Sequence, residues 1–337
     1  MKIYDVNKKE PNQASWRIRM LHLICNLNNL RLFENLPVLS LLILSFLILS
    51  FLSNTNTNMA KTQGSCDLDL DRSFLKDLPA SIKRYTYHGE EQFLDVFQTE
   101  LTHFEASTEA SGFLLFHASK EVIETLSDPE NIENDDNPIS RVCSSYDLSE
   151  QLFLVAMRTG PHAAAGDLVS TVIREAITPM NLSTSLQGYT GKTTRGRSRG
   201  KTPDYSWRPR QPGQPSSPSV TLEVAWSESD SKLNSDVRFW LNPDDSDTNI
   251  CLTLRINRSR PEIRIEKWER QNDKAHRSQI IWITRNKNQT HVSDHPLVIP
   301  FESLFRRNPT GPAERDLAIS QQQLVFVAEA LWEEQEL

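Results

Sequence analysis

The clearest hydrophobic pattern in the chain is the seven-residue run Val220-Thr-Leu-Glu-Val-Ala-Trp226, preceded by a loop carrying Pro209, Pro212, Pro215 and Pro218. It is short, rich in β-branched and apolar residues and bounded by turn formers, so it predicts a strand. Strand alternation puts Glu223, Ala225 and Ser227 on one face. Upstream, Gly166–Ile177 has Leu168, Val169, Val172, Ile173, Ala176 and Ile177 at spacings of three and four, which predicts a helix ending before Pro179. Downstream, Leu233, Val237, Trp240 and Leu241 predict a helix over 230–241, followed by an Asp-rich turn. Strands are predicted at Ile250–Ile256, Ile263–Trp268 and Gln279–Thr284, then an apolar stretch at Leu297–Phe301 and a closing helix at Ser320–Trp332 with Ser320 as N-cap. Strands mixed with helices predict an α/β sheet with helices on its faces.

Earlier residues divide differently. Phe93–Phe97 and Phe113–Phe116 are apolar patches that fit helices or strands of a small accessory region, and Ser127–Ser140 is acidic and rich in Pro and Asn, a solvated linker. The expected organisation is an extension over 1–58, an accessory region with its acidic linker over 59–148, and the α/β domain over 149–337. Residues 36–52 form an uncharged apolar run of 17 residues, at the short limit for a bilayer span. The upstream bases Lys8, Lys9, Arg17, Arg19 and Arg31 would keep its N-terminal side cytoplasmic. Met59-Ala-Lys-Thr-Gln is also a credible start, so the extension reads either as a signal anchor or as an over-extended gene model. The second reading makes the protein intracellular, nuclear or cytoplasmic; the first makes it a single-pass membrane protein.

Charge is uneven. Residues 1–150 hold 13 Lys/Arg against 22 Asp/Glu, and residues 151–337 hold 24 against 22. An acidic chain does not coat nucleic acid indiscriminately, although a local basic groove remains open to it. Cys25, Cys66, Cys143 and Cys251 have no Cys-x-x-Cys spacing, which argues against a zinc cluster or a disulfide framework.

Candidate chemistry centres on Lys201-Thr-Pro-Asp204 and, on the next predicted strand, Glu223. Two carboxylates fixed on strands can converge on a divalent cation at about 2.0–2.1 Å for Mg²⁺. The ordered set Lys201-Thr-Pro-Asp204, Glu223-Val-Ala-Trp-Ser-Glu-Ser229, Lys232-Leu233, Asp236 and Trp240-Leu241, with Ile263–Trp268 behind it, resembles the PD-(D/E)xK nuclease superfamily, most closely its divergent fungal branch. The resemblance covers roughly residues 150–335.

It implies a restriction-endonuclease-like mixed sheet flanked by helices and hydrolysis of phosphodiester bonds in DNA or RNA with Mg²⁺ or Mn²⁺. Asp204 and Glu223 become the implied metal ligands, with a further acid on the first core helix, for which Glu175 is the candidate. A homodimer is implied where both strands of a duplex are cut. The lysine expected two residues after the glutamate is replaced by Ala225; Lys232 is the natural substitute and Lys201 the next. A second reading follows from Ala225, a catalytically inactive protein that binds on the same fold. A third is a membrane-anchored interaction protein, if the 36–52 run is genuine.

Five bases in ten residues, Lys192, Arg195, Arg197, Arg199 and Lys201, lead into Asp204 and suit a mobile loop contacting phosphates, a nuclear-localisation patch or a solvated linker. Gly191-Lys-Thr193 is no P-loop, since Leu186 stands where that motif needs glycine. The turn at Asp244, Asp245 and Asp247 reads as solvated, the tryptophans as packing residues, and His162, His276, His291 and His295 as ordinary polar histidines.

Overall fold

In the computed structural model, the described residues are 67–337, apart from 71, 77, 108–109, 128–137, 212, 227–229 and 288. The apolar run at 36–52, most of the acidic linker and Ser227-Glu-Ser229 therefore lie outside them. Among the described residues, no helix is long and apolar enough to cross a membrane.

The chain runs β1 (Asp67–Asp69), β2 (Lys83–Thr86), α1 (Glu90–Ala106), β3 (Phe113–His117), α2 (Lys120–Leu126), α3 (Pro138–Val142), β4 (Cys143–Asp147) and β5 (Leu152–Ala156). Then come α4 (Gly160–Ile177), β6 (Leu186–Tyr189), β7 (Thr194–Arg195), β8 (Arg199–Lys201), β9 (Tyr205–Pro209), β10 (Val220–Trp226) and α5 (Asp230–Leu241). The remainder is β11 (Ile250–Ile256), β12 (Glu262–Gln271), β13 (Lys274–Asn286), β14 (Gln289–Val292), β15 (Leu297–Ile299), α6 (Phe301–Phe305), β16 (Leu317–Ile319) and α7 (Gln321–Glu334).

The predicted strand at 220–226 is β10, and it is central because both its faces are covered. Val220, Leu222 and Val224 enter a core shared with Val169, Val172 and Ile173 of α4 and with Leu324, Val327 and Leu331 of α7. Thr221, Glu223 and Ala225 point the other way, toward α5. The sheet order is β1-β13-β12-β11-β10-β9-β6, with β14 also paired to β13. β10 and β11 are parallel, joined by α5 as the crossover, while β9 runs antiparallel to both β10 and β6. The α/β layering is therefore as expected: a mixed sheet with helices on its faces.

Helix α5 spans 230–241, the predicted range, whereas α4 begins at Gly160, six residues earlier than its apolar stripe indicates. Pro161 fits that start, since its fixed φ suits the first helical turn and its missing N–H would be unpaired there anyway. α7 carries the capping box that Ser320 foretold, closed by Gln323.

A second mixed sheet has the order β2-β3-β5-β4-β8-β7. Phe93 and Phe104 of α1 pack on it with Phe116 and Phe153. The boundary expected at 148/149 falls in the turn between β4 and β5, two paired strands. β8 and β7 extend the same sheet from beyond that boundary, so the N-terminal region and the α/β domain share backbone hydrogen bonds. Gly200 permits this junction: a Cβ there would lie 2.2 Å from the Tyr146 ring.

Candidate active site

Lys201 closes β8, one ladder position from Gly200, and is 1 % exposed. Its Nζ lies 2.7 Å from Asp236 Oδ1 and 3.1 Å from Glu223 Oε2. Asp236 also accepts from Lys232 Nζ. On α5, Lys232, Asp236 and Trp240 recur every four residues and so share one face of the helix, the face laid over Glu223. Trp240 completes the set, its Nε1–H donating to Glu223 Oε1 at 2.6 Å. Lys232 additionally stands 4.3 Å from the centroid of the Phe113 ring on β3, and Ser235 donates to the Phe74 carbonyl. The accessory region thus buttresses the helix that holds the site.

Asp204 sits between β8 and β9. Its Oδ2 accepts from the Val224 N–H at 2.8 Å and lies 3.3 Å from His162 Nε2, while Oδ1 faces the Arg158 guanidinium at 3.6 Å. Burial alone would raise its pKa, but the His162 contact, the Arg158 charge and the Val224 N–H together hold it well below the usual carboxylate range. Glu223 behaves oppositely. Burial pushes its carboxyl up to about 8, with Asp236 and Asp204 adding to the rise and Lys201 opposing it. Lys201 keeps its proton: burial works against the charge, yet Asp236 and Glu223 hold its pKa above the ordinary lysine value.

The raised Glu223 value has a consequence for stability. An unfolded glutamate loses its proton near pH 4.5, the folded one near pH 8, so across that window the native state binds the extra proton. This stabilising contribution is full below pH 4.5 and is lost as pH rises through about 8. Denaturant unfolding between about pH 5 and pH 8 is expected to show stability falling by up to about 1.4 kcal/mol per pH unit from this group. Glu223→Gln, which cannot titrate, removes that slope; an unchanged slope contradicts the assignment.

The structure brings together Asp204, Glu223, Lys201 and Lys232. Of the two candidate lysines it is Lys201, not Lys232, that reaches Glu223; Lys232 is engaged with Asp236. Glu175 lies elsewhere, exposed on α4, where its Oε2 accepts from Gln323 Nε2 at 3.1 Å. His162 is the correction: it is 7 % exposed and fixed on Asp204, rather than an ordinary polar histidine. Asp236 belongs to the ordered set behind the resemblance but had no role in the sequence reading, although its i,i+4 spacing from Lys232 was the available signal. His162 had none, since its partner lies far along the chain.

The basic segment is also different from a mobile loop. Residues 194–201 form the β7–β8 hairpin, in which Arg195 pairs opposite Gly200. Arg199 is committed internally, 3.2 Å from both Asp147 and Asp245. Asp245 is therefore buried and paired rather than solvated, and burial raises its pKa to about 6 against the pull of Arg199. Lys192, Arg195 and Arg197 remain exposed.

Asp204 and Glu223 offer hard oxygen donors, the class that suits Mg²⁺ or Mn²⁺. Asp204 Oδ1 lies 3.6 Å from Arg158, beyond hydrogen-bond length, so that guanidinium does not occupy its lone pairs. Among the described residues no group of three or more His, Cys, Asp or Glu side chains converges to hold a metal. Two carboxylates still fit Mg²⁺, an ion that keeps several waters and is completed by substrate phosphates.

No family model matches the chain, and no curated protein matches it. A crystal structure described as a "putative nuclease belonging to DUF820", from Anabaena variabilis, aligns over 58 % of this chain and 97 % of its own, at 16 % identity and a TM-score of 0.33. The chemistry of the site rests on the residues themselves.

Proposed function

We propose that the chain is a nuclease-like protein of the PD-(D/E)xK type, of the divergent fungal branch, that hydrolyses phosphodiester bonds of nucleic acid at Asp204 and Glu223. The observation that carries this reading is Lys201 Nζ at 3.1 Å from Glu223 Oε2, a lysine supplied from β8 for the charge that Ala225 cannot provide. The connectivity agrees with the restriction-endonuclease-like order: helix α4, the antiparallel strands β6, β9 and β10, helix α5, then β11 parallel to β10. In this reading β7 and β8 are an insertion that joins the second sheet.

Asp204 and Glu223 would hold Mg²⁺ or Mn²⁺, which when bound lowers the pKa of coordinated water and neutralises charge on the phosphoryl group. The chain's own residues do the rest. His162, Arg158 and the Val224 N–H keep Asp204 ionised and oriented. Lys201, held by Asp236, presents a fixed positive charge where negative charge develops, and a buried preorganised cation acts more strongly than one in water. Trp240 fixes the other Glu223 oxygen.

Incubating the full chain with labelled single- and double-stranded DNA and RNA tests the reading. Cleavage that requires Mg²⁺ or Mn²⁺ and stops with chelator is expected. No cleavage of any of the four contradicts it and favours the second reading, a non-catalytic nuclease-fold binding protein. That alternative has its own observation: both Glu223 oxygens are already engaged, Oε1 by the Trp240 Nε1–H and Oε2 by Lys201.

A further inference from the structure

A cleft of about 810 Å³ lies between the segment 189–196 and the Asp-rich turn 243–247, with Ser206 of β9 among its lining residues. Ser206 pairs opposite Thr221 of β10, and Glu223 stands two residues further along that strand, so Ser206 and Glu223 share a sheet face. The cleft therefore includes a residue of the face that carries Glu223. Its volume falls within the range of small-molecule sites, about 300–1,000 Å³.

One wall is cationic and held in place. Tyr189 is its platform: Arg208 donates to the Tyr189 hydroxyl at 2.7 Å, and both the Arg208 guanidinium and Lys192 Nζ lie 5.2 Å from the ring centroid. Arg195 projects from the β7 ladder beside them. None of Lys192, Arg195 or Arg208 forms an ion pair among the described residues. The opposite wall is acidic but partly committed internally. Asp245 is held by Arg199, and Asp247 accepts from Ser217. Asp244 is exposed. Gly196 keeps the walls close, because a Cβ there would lie 2.6 Å from Asp245.

Three unpaired cations facing hydrogen-bond acceptors call for an anion that also carries donors. An unpaired nucleotide has both, phosphates for the bases and sugar hydroxyl or base amino groups for the carboxylates. In a duplex the Watson–Crick edges of the bases are engaged in pairing.

We infer that this cleft is the subsite for single-stranded nucleic acid, with Lys192, Arg195 and Arg208 on the phosphates and Asp244 and Asp247 accepting from sugar or base. Its link to the Glu223 site rests on the nuclease reading, but strand binding is measured without cleavage. The test is fluorescence anisotropy of the full chain with a labelled short DNA and RNA strand and their duplexes, in chelator. Single strands are expected to bind at least several-fold more tightly than duplexes. Lys192→Ala and Arg195→Ala, both exposed and so compatible with folding, each weaken binding several-fold and lower the salt slope by about one phosphate contact. Arg208→Ala weakens it likewise, and His291→Ala, exposed on β14 and outside the cleft, leaves it intact. Duplex preference, unchanged affinity in Lys192→Ala and Arg195→Ala, or equal competition by inorganic phosphate or polyglutamate overturns the inference. Strand binding without metal-dependent cleavage overturns the nuclease reading alone, and cleavage without these effects overturns the cleft alone.

Discussion

Asp204→Ala and Glu223→Ala are each expected to reduce metal-dependent cleavage at least about 10²-fold, the scale on which one preorganised electrostatic group contributes to a transition state. The two acids are not redundant. Asp204 is the ionised member, kept so by His162, Arg158 and the Val224 N–H. Glu223 is the member tied to Lys201 and Trp240, and its removal leaves Lys201 without one of its two carboxylate partners. His291→Ala is the control, since that side chain is exposed on β14, and its cleavage rate is expected to be unchanged. Single-turnover rates on the preferred substrate measure both effects. Full activity in either carboxylate variant removes that residue from the site.

Lys201→Ala is expected to destabilise the fold by about 3–5 kcal/mol above about pH 8, where Glu223 has given up its proton, the cost of taking one partner from a buried ion pair. A surface lysine would cost about 0–1 kcal/mol. The difference arises because Lys201 is 1 % exposed and separates two carboxylates, Glu223 and Asp236, which would otherwise confront each other in the interior. Lys232 still neutralises Asp236, so the unpaired charge falls chiefly on Glu223. Lys201→Met combined with Glu223→Gln removes that charge and keeps the packing, and it should recover most of the loss. Urea unfolding of the wild type and these two variants measures this. A cost in Lys201→Ala no greater than that of a surface lysine would show that the ion pairs do not form.

The strands and helices that bury a regular stripe were legible in the chain. β10, α5 and β11 begin and end where their apolar pattern does, because each satisfies its own hydrogen bonds or pairs with a neighbour of matching length. The hairpin 194–201 was not legible. Its residues are short, basic and glycine-rich, and they become strands only because β4, far earlier in the chain, offers an edge. For the same reason Lys201 reads as one base among five, yet pairing of β8 on β4 turns it inward.

The acid pair was legible from residue type and strand alternation, while its electrostatic setting was not. His162 and Asp236 acquire meaning only when α4 and α5 are laid on opposite faces of one sheet. Arg199, grouped with the phosphate-contacting bases, is instead the partner of Asp147 and Asp245. A charge run alone cannot distinguish bases that face solvent from one that ties a strand to the turn after a distant helix.

If Asp204 and Glu223 accept a divalent cation although Lys201 is already beside them, the chain binds Mn²⁺ without substrate. Calorimetric titration of Mn²⁺ into the full chain, with Asp204→Ala as reference, decides this. One site per chain is expected, tightening as pH rises through about 8, where Glu223 gives up its proton, and disappearing in Asp204→Ala. Absence of binding in the wild type, or binding of equal strength in the variant, would contradict it.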